Sequence, residues 1–533
     1  MLGDLRKTVF LPLILTFCLV SATGCAPYNQ TAGSRLEPVV VRLAGGDWGY
    51  PSPYAYHEQG PGYYKMLLVF DTLLEKDEGG IIPWLAAKWE ESGGSRVYTF
   101  HLRENVRWQD GKPFTAGDVV FSWEYARKHP RAWSIDPALV DEVRNLDEHT
   151  VRFRLSRPNA AFLYKLAGFP IIPAHIWKDV PDPYHFTEPR AVIGTGPYRL
   201  ASYSKGEGVY RFEANRDFWG PKPCVDVIEM VPVEDGVLAL EQGKIDLAAV
   251  PPDLLERFQN KPGYHVAKSP GYWGYRLIFN LEQNKALARS ELRQAFAYAI
   301  DRPGLVKKCA QGAALPGNPG ILPPNHIWYN PNVPQYRYNL RKAVELLEQL
   351  GWHDRDGDGI REDARGNRLA FELLLAQEDV QLGELLKQQL RKAGIEVKFV
   401  SADLKTRDSL VKQGKYELAV TGEGGWGNDP DYLRERFTRS EKGTGPLAAG
   451  GTWGYDNPTV ERLAKEQLHE TNPVKRRNLV AQLQKALAED LPELPLYYPT
   501  PYYVYHASVY AGWTFMFDHH SLCDAKLSYL ASL

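Results

Sequence analysis

The sequence predicts an α/β protein, because segments with helical spacing of apolar residues alternate with short strands in its second half. Asn339 is the predicted N-cap of a helix that stops at Gly351. A second helix, over about residues 381–393, leads into a strand at 395–399, and Asn472 is the predicted N-cap of a third. This alternation favours helices layered on sheets over an all-α or all-β body.

Chain length and composition predict a soluble protein of several domains. The chain has 533 residues, of which 44% are hydrophobic and 24% charged. Single hydrophobic cores stop growing near about 250–300 residues, so two or more domains are expected. The net charge of -2 gives no overall field, and the composition therefore does not suggest nucleic-acid binding.

The N-terminus predicts export. Arg6 and Lys7 precede an apolar run at 9–20 that ends in small residues and Cys25, the pattern of a signal peptide over 1–25. Small residues directly before a cysteine resemble a bacterial lipobox, which implies lipidation of Cys25 and anchoring to the cell membrane outside the cytoplasm. The alternative is ordinary cleavage beside an incidental cysteine. Residues 26–37 are polar and aperiodic, and are predicted to be a tether.

The first half of the chain begins with a predicted strand at 39–44, followed by a loop rich in glycine, proline and aromatic residues. A second strand is expected at 98–103, where apolar and polar residues alternate. Thr115 and Asp118 form a capping-box pattern that predicts a helix start at Thr115.

Seven sequence blocks occur in an order that resembles the peptide/nickel-type solute-binding proteins of ABC importers, family 5 of the extracellular binding proteins. The most specific block is 98–123, YTFHLRENVRWQDGKPFTAGDVVFSW. The others are 194–198 (GTGPY), 215–219 (NRDFW), 239–247 (ALEQGKIDL), Asn280, 291–302 (ELRQAFAYAIDR) and 454–458 (GYDNP). Their shared order over about residues 65–500, rather than any one block, carries the resemblance.

The resemblance implies a large type II periplasmic-binding-protein-like fold: two lobes joined by a hinge, with an extra domain inserted in the first lobe. The implied domains are domain I (38–82, 189–278 and 497–533), inserted domain II (83–188) and the second lobe, domain III (279–496). It further implies a monomer that closes around a peptide-like ligand and delivers it to a membrane permease. A nickel chelate or an oligosaccharide is the alternative ligand on the same fold.

The best candidate ligand-binding segment is 424–432, GGWGNDPDY. Trp426 offers an aromatic face, and Asn428, Asp429 and Asp431 offer polar groups. In peptide-binding relatives an acid shortly after the matching tryptophan anchors the ligand ammonium. The segment here is shorter, so Asp429 takes that role from a shifted position or the acid is missing. The alternative is that residues 428–431 form only an Asx-capped turn.

Four aromatic residues elsewhere are candidate cleft residues. Trp48 and Tyr50, near Tyr54, follow the first strand, where the family commonly lines its cleft, and Trp273 and Tyr275 precede the second crossover between lobes. Their rings suit peptide planes, sugars or metal-chelate rings. For each of them, ordinary packing is an equally good interpretation.

An acidic loop at 354–363 resembles the first half of a calcium-binding loop. Asp354, Asp356 and Asp358 occupy its first, third and fifth positions, before a glycine that permits the sharp turn. The twelfth position is Arg365 instead of glutamate, so Glu362 or Asp363 would have to complete the ligand set. A structural calcium is one interpretation and a solvated acidic hairpin the other. No cofactor is otherwise expected.

An enzyme is the main alternative class. The sequence contains no Gly-x-Ser-x-Gly, phosphate-loop or His-Glu-x-x-His motif. His519 and His520 are not expected to bind one metal, because neighbours on a chain seldom point to the same ion. Paired carboxylates for glycoside hydrolysis stay open, as does a receptor or chaperone that reuses the fold. The sequence favours reversible binding without chemistry on the ligand.

Overall fold

The computed structural model describes residues 37–57, 61–77, 79–131, 133–424, 426, 429–439, 451–516 and 521–531. The predicted signal peptide, Cys25, all but the last residue of the tether, and Asn428 lie outside these ranges. Within them, no helix combines the length and the apolar character that crossing a membrane requires.

The strands of the described residues are, in chain order, β1 (Val40–Ala44), β2 (Leu74–Asp77), β3 (Gly80–Pro83), β4 (Ala86–Ser92), β5 (Val97–Leu102), β6 (Val140–Asn145), β7 (Thr150–Leu155), β8 (Tyr198–Ser204), β9 (Val209–Ala214), β10 (Val227–Val231), β11 (Leu247–Val250), β12 (Tyr264–Lys268), β13 (Trp273–Phe279), β14 (Ala314–Pro316), β15 (Ala370–Ala376), β16 (Glu396–Ala402), β17 (Leu418–Gly424), β18 (Glu493–Pro499) and β19 (Tyr502–His506).

The α-helices of the same residues are α1 (Gly62–Leu67), α2 (Ala116–Lys128), α3 (Phe162–Leu166), α4 (Ala174–Trp177), α5 (Gly236–Glu241), α6 (Glu256–Gln259), α7 (Ser290–Ala299), α8 (Arg302–Cys309), α9 (Leu340–Gln349), α10 (Val380–Arg391), α11 (Leu404–Lys412), α12 (Asp431–Phe437), α13 (Pro458–His469) and α14 (Pro473–Asp490).

Side-chain caps fix the helix starts that the sequence predicts. The backbone N–H of Thr115 donates to the Asp118 carboxylate at 2.9 Å, at the start of α2. The side chain of Asn339 accepts from the Lys342 N–H at 3.0 Å, and that of Asn472 accepts from the Val474 N–H at 3.1 Å. Each bond satisfies an N–H that lacks a partner within its own helix. These three predictions are confirmed.

Three sheets organise the described residues, beside the small β2–β3 hairpin. A seven-stranded sheet has the order β12-β19-β11-β1-β10-β9-β8, a six-stranded sheet β14-β18-β13-β17-β15-β16, and a four-stranded sheet β4-β5-β7-β6. The two larger sheets are mixed, since β1 is parallel to β10 and β11 while β15 is parallel to β16 and β17. The α/β class predicted from the sequence is confirmed.

Each of these sheets contributes to a separate hydrophobic core. Val41 and Ile228 of the seven-stranded sheet are fully buried in one core, Phe100 of the four-stranded sheet in another, and Leu277 and Val420 of the six-stranded sheet in a third. Separate cores allow parts of a chain to move as rigid bodies.

A buried carboxylate joins the parts of the first lobe. Asp71 has no exposed surface, and it accepts hydrogen bonds from Trp84 Nε1 (2.7 Å), Thr195 Oγ1 (2.9 Å), Trp219 Nε1 (3.2 Å) and Lys526 Nζ (3.0 Å). Two of its donors lie in the sequence blocks at 194–198 and 215–219. These blocks therefore build the scaffold by satisfying a buried charge.

Candidate functional site

Two short crossovers connect the seven-stranded sheet to the six-stranded sheet. One lies at 269–272, between β12 and β13, and the other at 500–501, between β18 and β19. They are bonded to each other, because the Ser269 N–H donates to the Pro501 carbonyl at 2.8 Å. The domain boundaries expected from the sequence lie after residue 278 and before residue 497. All of β13 and β18 belong to the six-stranded sheet, so the chain passes between the sheets before residue 273 and after residue 499.

Trp273 begins β13 directly after the first crossover, and its indole lies across two glycines of the neighbouring strand. A Cβ on Gly422 would lie 1.9 Å from Trp273 Cζ2, and one on Gly424 would lie 2.7 Å from Trp273 Cδ1. A side chain on either glycine would clash with the indole of Trp273, so this packing requires glycine at both positions. Tyr275 lies on the same face, with its ring 4.6 Å from that of Trp273. Both rings are half-buried, so part of this face is open to solvent.

The opposite face of β13 carries Trp426, which is only 3% exposed. Its ring packs edge-on against Tyr498 at 5.4 Å and approaches the backbone of Gly274. Among the described residues its Nε1 has no hydrogen-bond partner. A cavity of about 10 Å³ beside it, also lined by Arg276 and Glu493, has room for about one water. The expected ligand-stacking role therefore does not fit Trp426 in this form of the molecule, where it packs inside the second lobe.

Asp429 is engaged by an arginine of α14. Its two carboxylate oxygens each lie 2.8 Å from a guanidinium nitrogen of Arg476, and one of them also accepts the Asp431 N–H at 2.9 Å. Burial raises the pKa of Asp429, and the Arg476 charge opposes that rise. A ligand ammonium would have to compete with this bidentate pair. The geometry gives Asp429 a structural role, in contrast to the anchoring role expected from the sequence.

Asp431, at the first position of α12, is likewise committed to partners within the protein. Its oxygens accept from Arg434 at 2.7 and 2.8 Å and from Gln467 Nε2 at 3.1 Å. Burial acts to raise the pKa of Asp431, but the bonds from Arg434 and the nearby charge of Lys165 hold it below its ordinary value. Asp431 is therefore an ionised, fully bonded carboxylate that fixes the start of α12.

Contacts between the lobes lie next to this acidic segment. The Ala160 N–H of the inserted domain donates to the Leu468 carbonyl at 2.8 Å, and His469 Nδ1 lies 2.8 Å from the Pro158 carbonyl oxygen. Arg476, the partner of Asp429, also reaches the Ala160 carbonyl at 3.4 Å. The segment 424–432 is thus linked, through Asp429 and Arg476, to the contact between the two lobes. Lys165 of α3 adds an ion pair to Glu435 of α12.

Trp48 and Tyr50 lie in the first lobe, in the loop that follows β1, and both are half-buried. The Trp48 N–H donates to the Tyr210 hydroxyl at 2.9 Å, and that hydroxyl donates to the Gly49 carbonyl at 2.7 Å. Tyr50 donates weakly to the Glu188 carbonyl at 3.3 Å. The backbone of the loop is therefore held firmly while these two rings keep exposed surface. Tyr54, in contrast, is 1% exposed and belongs to the core.

A cluster of four charged residues beside Trp426 was not predicted from the sequence; three of them are buried and one, Glu423, is half-buried. Arg276 Nη1 donates to Glu493 at 3.0 Å and Arg436 Nε donates to Glu493 at 2.8 Å, while both arginines also pair with Glu423. Glu493 is fully buried, and the two arginine side chains are 4% and 1% exposed. Arg276 and Glu493 stand within otherwise apolar strands. A charged residue in such a strand is the sequence signal that indicates a buried ion pair.

The acidic loop brings together three of its four predicted ligands. Carboxylate oxygens of Asp354, Asp356 and Glu362 lie within 4.8 Å of one another. Asp358 is instead bonded to Arg368, with 2.7 Å between Oδ2 and Nη1, and its N–H donates to Asp356 at 3.1 Å. Asp358 is thus outside the group, which corrects the expected ligand set.

Comparison with known proteins identifies the family. The family model described as "Bacterial extracellular solute-binding proteins, family 5 Middle" matches residues 80–445. Protein XP55 of Streptomyces lividans is 32% identical, over 79% of this chain and 77% of its own length. The dipeptide-binding protein of Escherichia coli is 27% identical, over 79% and 81% respectively.

A solved structure shows the same fold. NikZ of Campylobacter jejuni, in complex with Ni(L-His), superposes with a TM-score of 0.78 at 26% identity, covering 93% of this chain and 99% of its own. The two-lobed fold that the resemblance implied is thereby confirmed. With the crossovers, the separate cores and the family match in agreement, the chain belongs to family 5 of the bacterial extracellular solute-binding proteins.

Proposed function

We propose that this protein captures a peptide-like solute between its two lobes and delivers it, unchanged, to the membrane permease of an ABC importer. The observation that carries the proposal is the pair of hydrogen-bonded crossovers between lobes with separate cores. Such a connection permits closure around a ligand. Because a ligand that binds both lobes favours the closed form by its differential affinity, the permease can recognise occupancy from shape.

The proposed cleft walls are the aromatic residues that keep exposed surface. Trp273 and Tyr275 supply the wall on the second lobe, next to the crossovers, and Trp48 and Tyr50 supply the wall on the first. Aromatic faces suit flat peptide groups and apolar side chains. Asn428 remains a proposed polar contact. Asp429 is already paired with Arg476, and Asp431 with Arg434. In this proposal, therefore, neither carboxylate binds the ammonium group of the ligand.

A nickel chelate is the second candidate, and the engagement of Asp429 is the observation that favours it. A chelate with a net charge near zero does not need a free carboxylate to receive an ammonium group. NikZ, a relative with the same fold, is described as bound to Ni(L-His). An oligosaccharide would use the same aromatic walls, but no feature of the site favours it.

We also propose that the protein is exported and works as a monomer anchored through lipid on Cys25. The charged start, the short apolar run and the small residues before Cys25 support this. Mass spectrometry of the mature protein should find an acylated N-terminal cysteine, and Cys25→Ser should move the protein from the membrane fraction to the soluble fraction. Retention of the variant on the membrane would contradict the anchor.

Native mass spectrometry of protein purified without refolding tests the ligand class. We expect a co-purified mixture of short peptides, whereas a single metal complex would support the second candidate and a single sugar would overturn both. Titration calorimetry with a dipeptide and tripeptide mixture, and separately with nickel plus histidine, should agree with the co-purified class. Conversion of the bound solute into a product would contradict binding without chemistry.

A pair of variants tests the proposed wall. Trp273→Ala should weaken binding of the identified ligand, because the indole supplies contact area at the crossover. Trp89→Ala is the matched control, since Trp89 is also a half-buried tryptophan but lies in the four-stranded sheet. Equal affinity loss in both variants would mean that the effect is general destabilisation.

A further inference from the structure

We propose that the loop at 354–362 is a calcium site of the second lobe, with carboxylate ligands from Asp354, Asp356 and Glu362. Calcium binds six to eight oxygens at about 2.3–2.6 Å, so oxygens on opposite sides of one ion lie about 5 Å apart. The three carboxylates have oxygens within 4.8 Å of one another, which matches that span. One ion placed among the three oxygens would therefore lie close to calcium-ligand distance from each of them.

Glu362 supplies the independent observation that points to an ion. Glu362 is only 6% exposed, and its Oε1 has no hydrogen-bond partner among the described residues. Its other oxygen accepts the Arg355 N–H at 3.0 Å. A buried carboxylate oxygen without a partner is costly, and native proteins seldom leave one. A cation between Glu362 and the two exposed aspartates would satisfy it.

The backbone holds Glu362 towards the loop. The Glu362 N–H donates to the His353 carbonyl at 2.8 Å, and the His353 N–H donates back at 2.9 Å. The preceding residue, Arg361, donates through its guanidinium to the carbonyls of Trp352 and Ala393, both at 3.0 Å. The base of the loop is therefore rigid, and the ninth position of the loop, where calcium loops place a ligand or its water, carries a fixed carboxylate.

The loop tip has the backbone conformation that a calcium loop requires. Gly359, at the sixth position, has φ +82°, in the left-handed region that favours glycine. Asp354 accepts the N–H groups of Gly357 at 2.8 Å and Gly359 at 3.1 Å. The tip is thus folded back over Asp354 before any ion arrives.

The missing twelfth ligand predicts the strength and role of the site. Arg365 stands where a bidentate glutamate would otherwise bind, so waters must complete the shell. We expect affinity in the range of extracellular calcium modules, about 10⁻⁴–10⁻³ M. The ion would fasten the connection between α9 and β15 and stabilise the second lobe. This role is independent of the ligand that the cleft binds.

Titration of calcium chloride into the chelator-stripped, purified chain tests the proposal. We expect saturable binding by calorimetry and, well above the dissociation constant, a rise in melting temperature of about 5 °C. Magnesium chloride at the same concentration should give a much smaller rise, because Mg²⁺ demands octahedral geometry and dehydrates reluctantly. No calcium-dependent shift, or an equal shift with magnesium, would overturn the assignment.

Variants place the site on these residues. Glu362→Gln and Asp354→Asn should each lose the calcium-dependent shift, and Asp354→Asn carries the test if the buried variant fails to fold, because Asp354 is exposed. Glu384→Gln is the matched control, since Glu384 is an exposed acid on α10 of the same lobe, and it should keep the full shift. Unchanged calcium binding in Asp354→Asn would refute the site.

Discussion

Replacing Gly422 with alanine should displace the Trp273 ring and lower the stability of the second lobe by an amount that the structure predicts. The new Cβ would lie 1.9 Å from Trp273 Cζ2, whereas carbon atoms in contact lie about 3.5–4.0 Å apart, so the ring must move by about 1.6 Å or more. Forced overpacking of this kind costs about 1–3 kcal/mol. For a lobe of roughly 200 residues, about 2 kcal/mol lowers the melting temperature by about 4–8 °C.

The cause can be isolated with a double-mutant cycle measured by scanning calorimetry. In a Trp273→Ala background the obstructing ring is gone, so Gly422→Ala should cost close to nothing. Gly236→Ala is the matched control, because its Cβ would meet only the Ala248 Cβ, at an ordinary 3.7 Å. Additive costs of Gly422→Ala and Trp273→Ala would refute the reasoning, since they would show that the ring does not cover the glycine.

Three further predictions concern the buried charges and the contact between lobes. Glu493→Gln should lower the free energy of unfolding by about 3–5 kcal/mol in urea titrations, because two buried arginines would then share one carboxylate. The native pKa of Glu493 is lowered, since its arginine partners outweigh the effect of burial. Ionised Glu493 therefore stabilises the folded state fully above its unfolded pKa, about 4.5, and this stabilisation is lost as pH falls through the lower folded pKa. Since glutamine does not titrate, the stability of Glu493→Gln should depend less steeply on pH in the acid range. Lys165→Met removes the partly exposed ion pair with Glu435 that joins the two lobes. The pair stabilises the closed form by up to about 1 kcal/mol, or about fivefold in the closed-to-open ratio. The variant should therefore populate the open form more and show a larger radius of gyration in X-ray scattering.

Each of these predictions has a contradicting result. An unfolding free energy of Glu493→Gln equal to that of the wild type would mean that the cluster relaxes without loss. Parallel acid-unfolding curves for the two proteins would assign the pH dependence to other carboxylates. An unchanged radius of gyration in Lys165→Met would mean that the backbone bonds between Ala160 and Leu468 hold the lobes without the ion pair.

Local features of the fold could be predicted from the sequence, because their causes lie within a few residues. Asn339 and Asn472 cap helices by accepting N–H groups two or three positions away, and the Thr115 N–H donates to the Asp118 carboxylate three positions away. The family blocks predicted the architecture for a related reason. Thr195 and Trp219, from two of these blocks, bond to the buried Asp71, so these two residues belong to the scaffold.

The candidate site was harder to predict, because its partners are distant along the chain. Asp429 resembles a free anchor in the sequence, but its partner Arg476 lies 47 residues later. Trp426 resembles a ligand platform, but the glycine and tyrosine that enclose it come from β13 and β18. Asp358 fits a calcium pattern by position, yet Arg368 binds it. Spacing identifies the type of side chain, and only the tertiary fold decides which groups remain available.

The bond between the two crossovers limits how the lobes can turn. Gly271, with φ +86°, lies against Thr500, and the Ser269 N–H is donated to Pro501, so the two connections form one narrow strip. Because both connections lie side by side at one place, we expect the lobes to turn about this strip as a hinge. A pair of fluorophores placed on opposite lobes would therefore report a single angular coordinate. This property makes the chain a suitable scaffold for a reagentless optical sensor of whatever solute it holds.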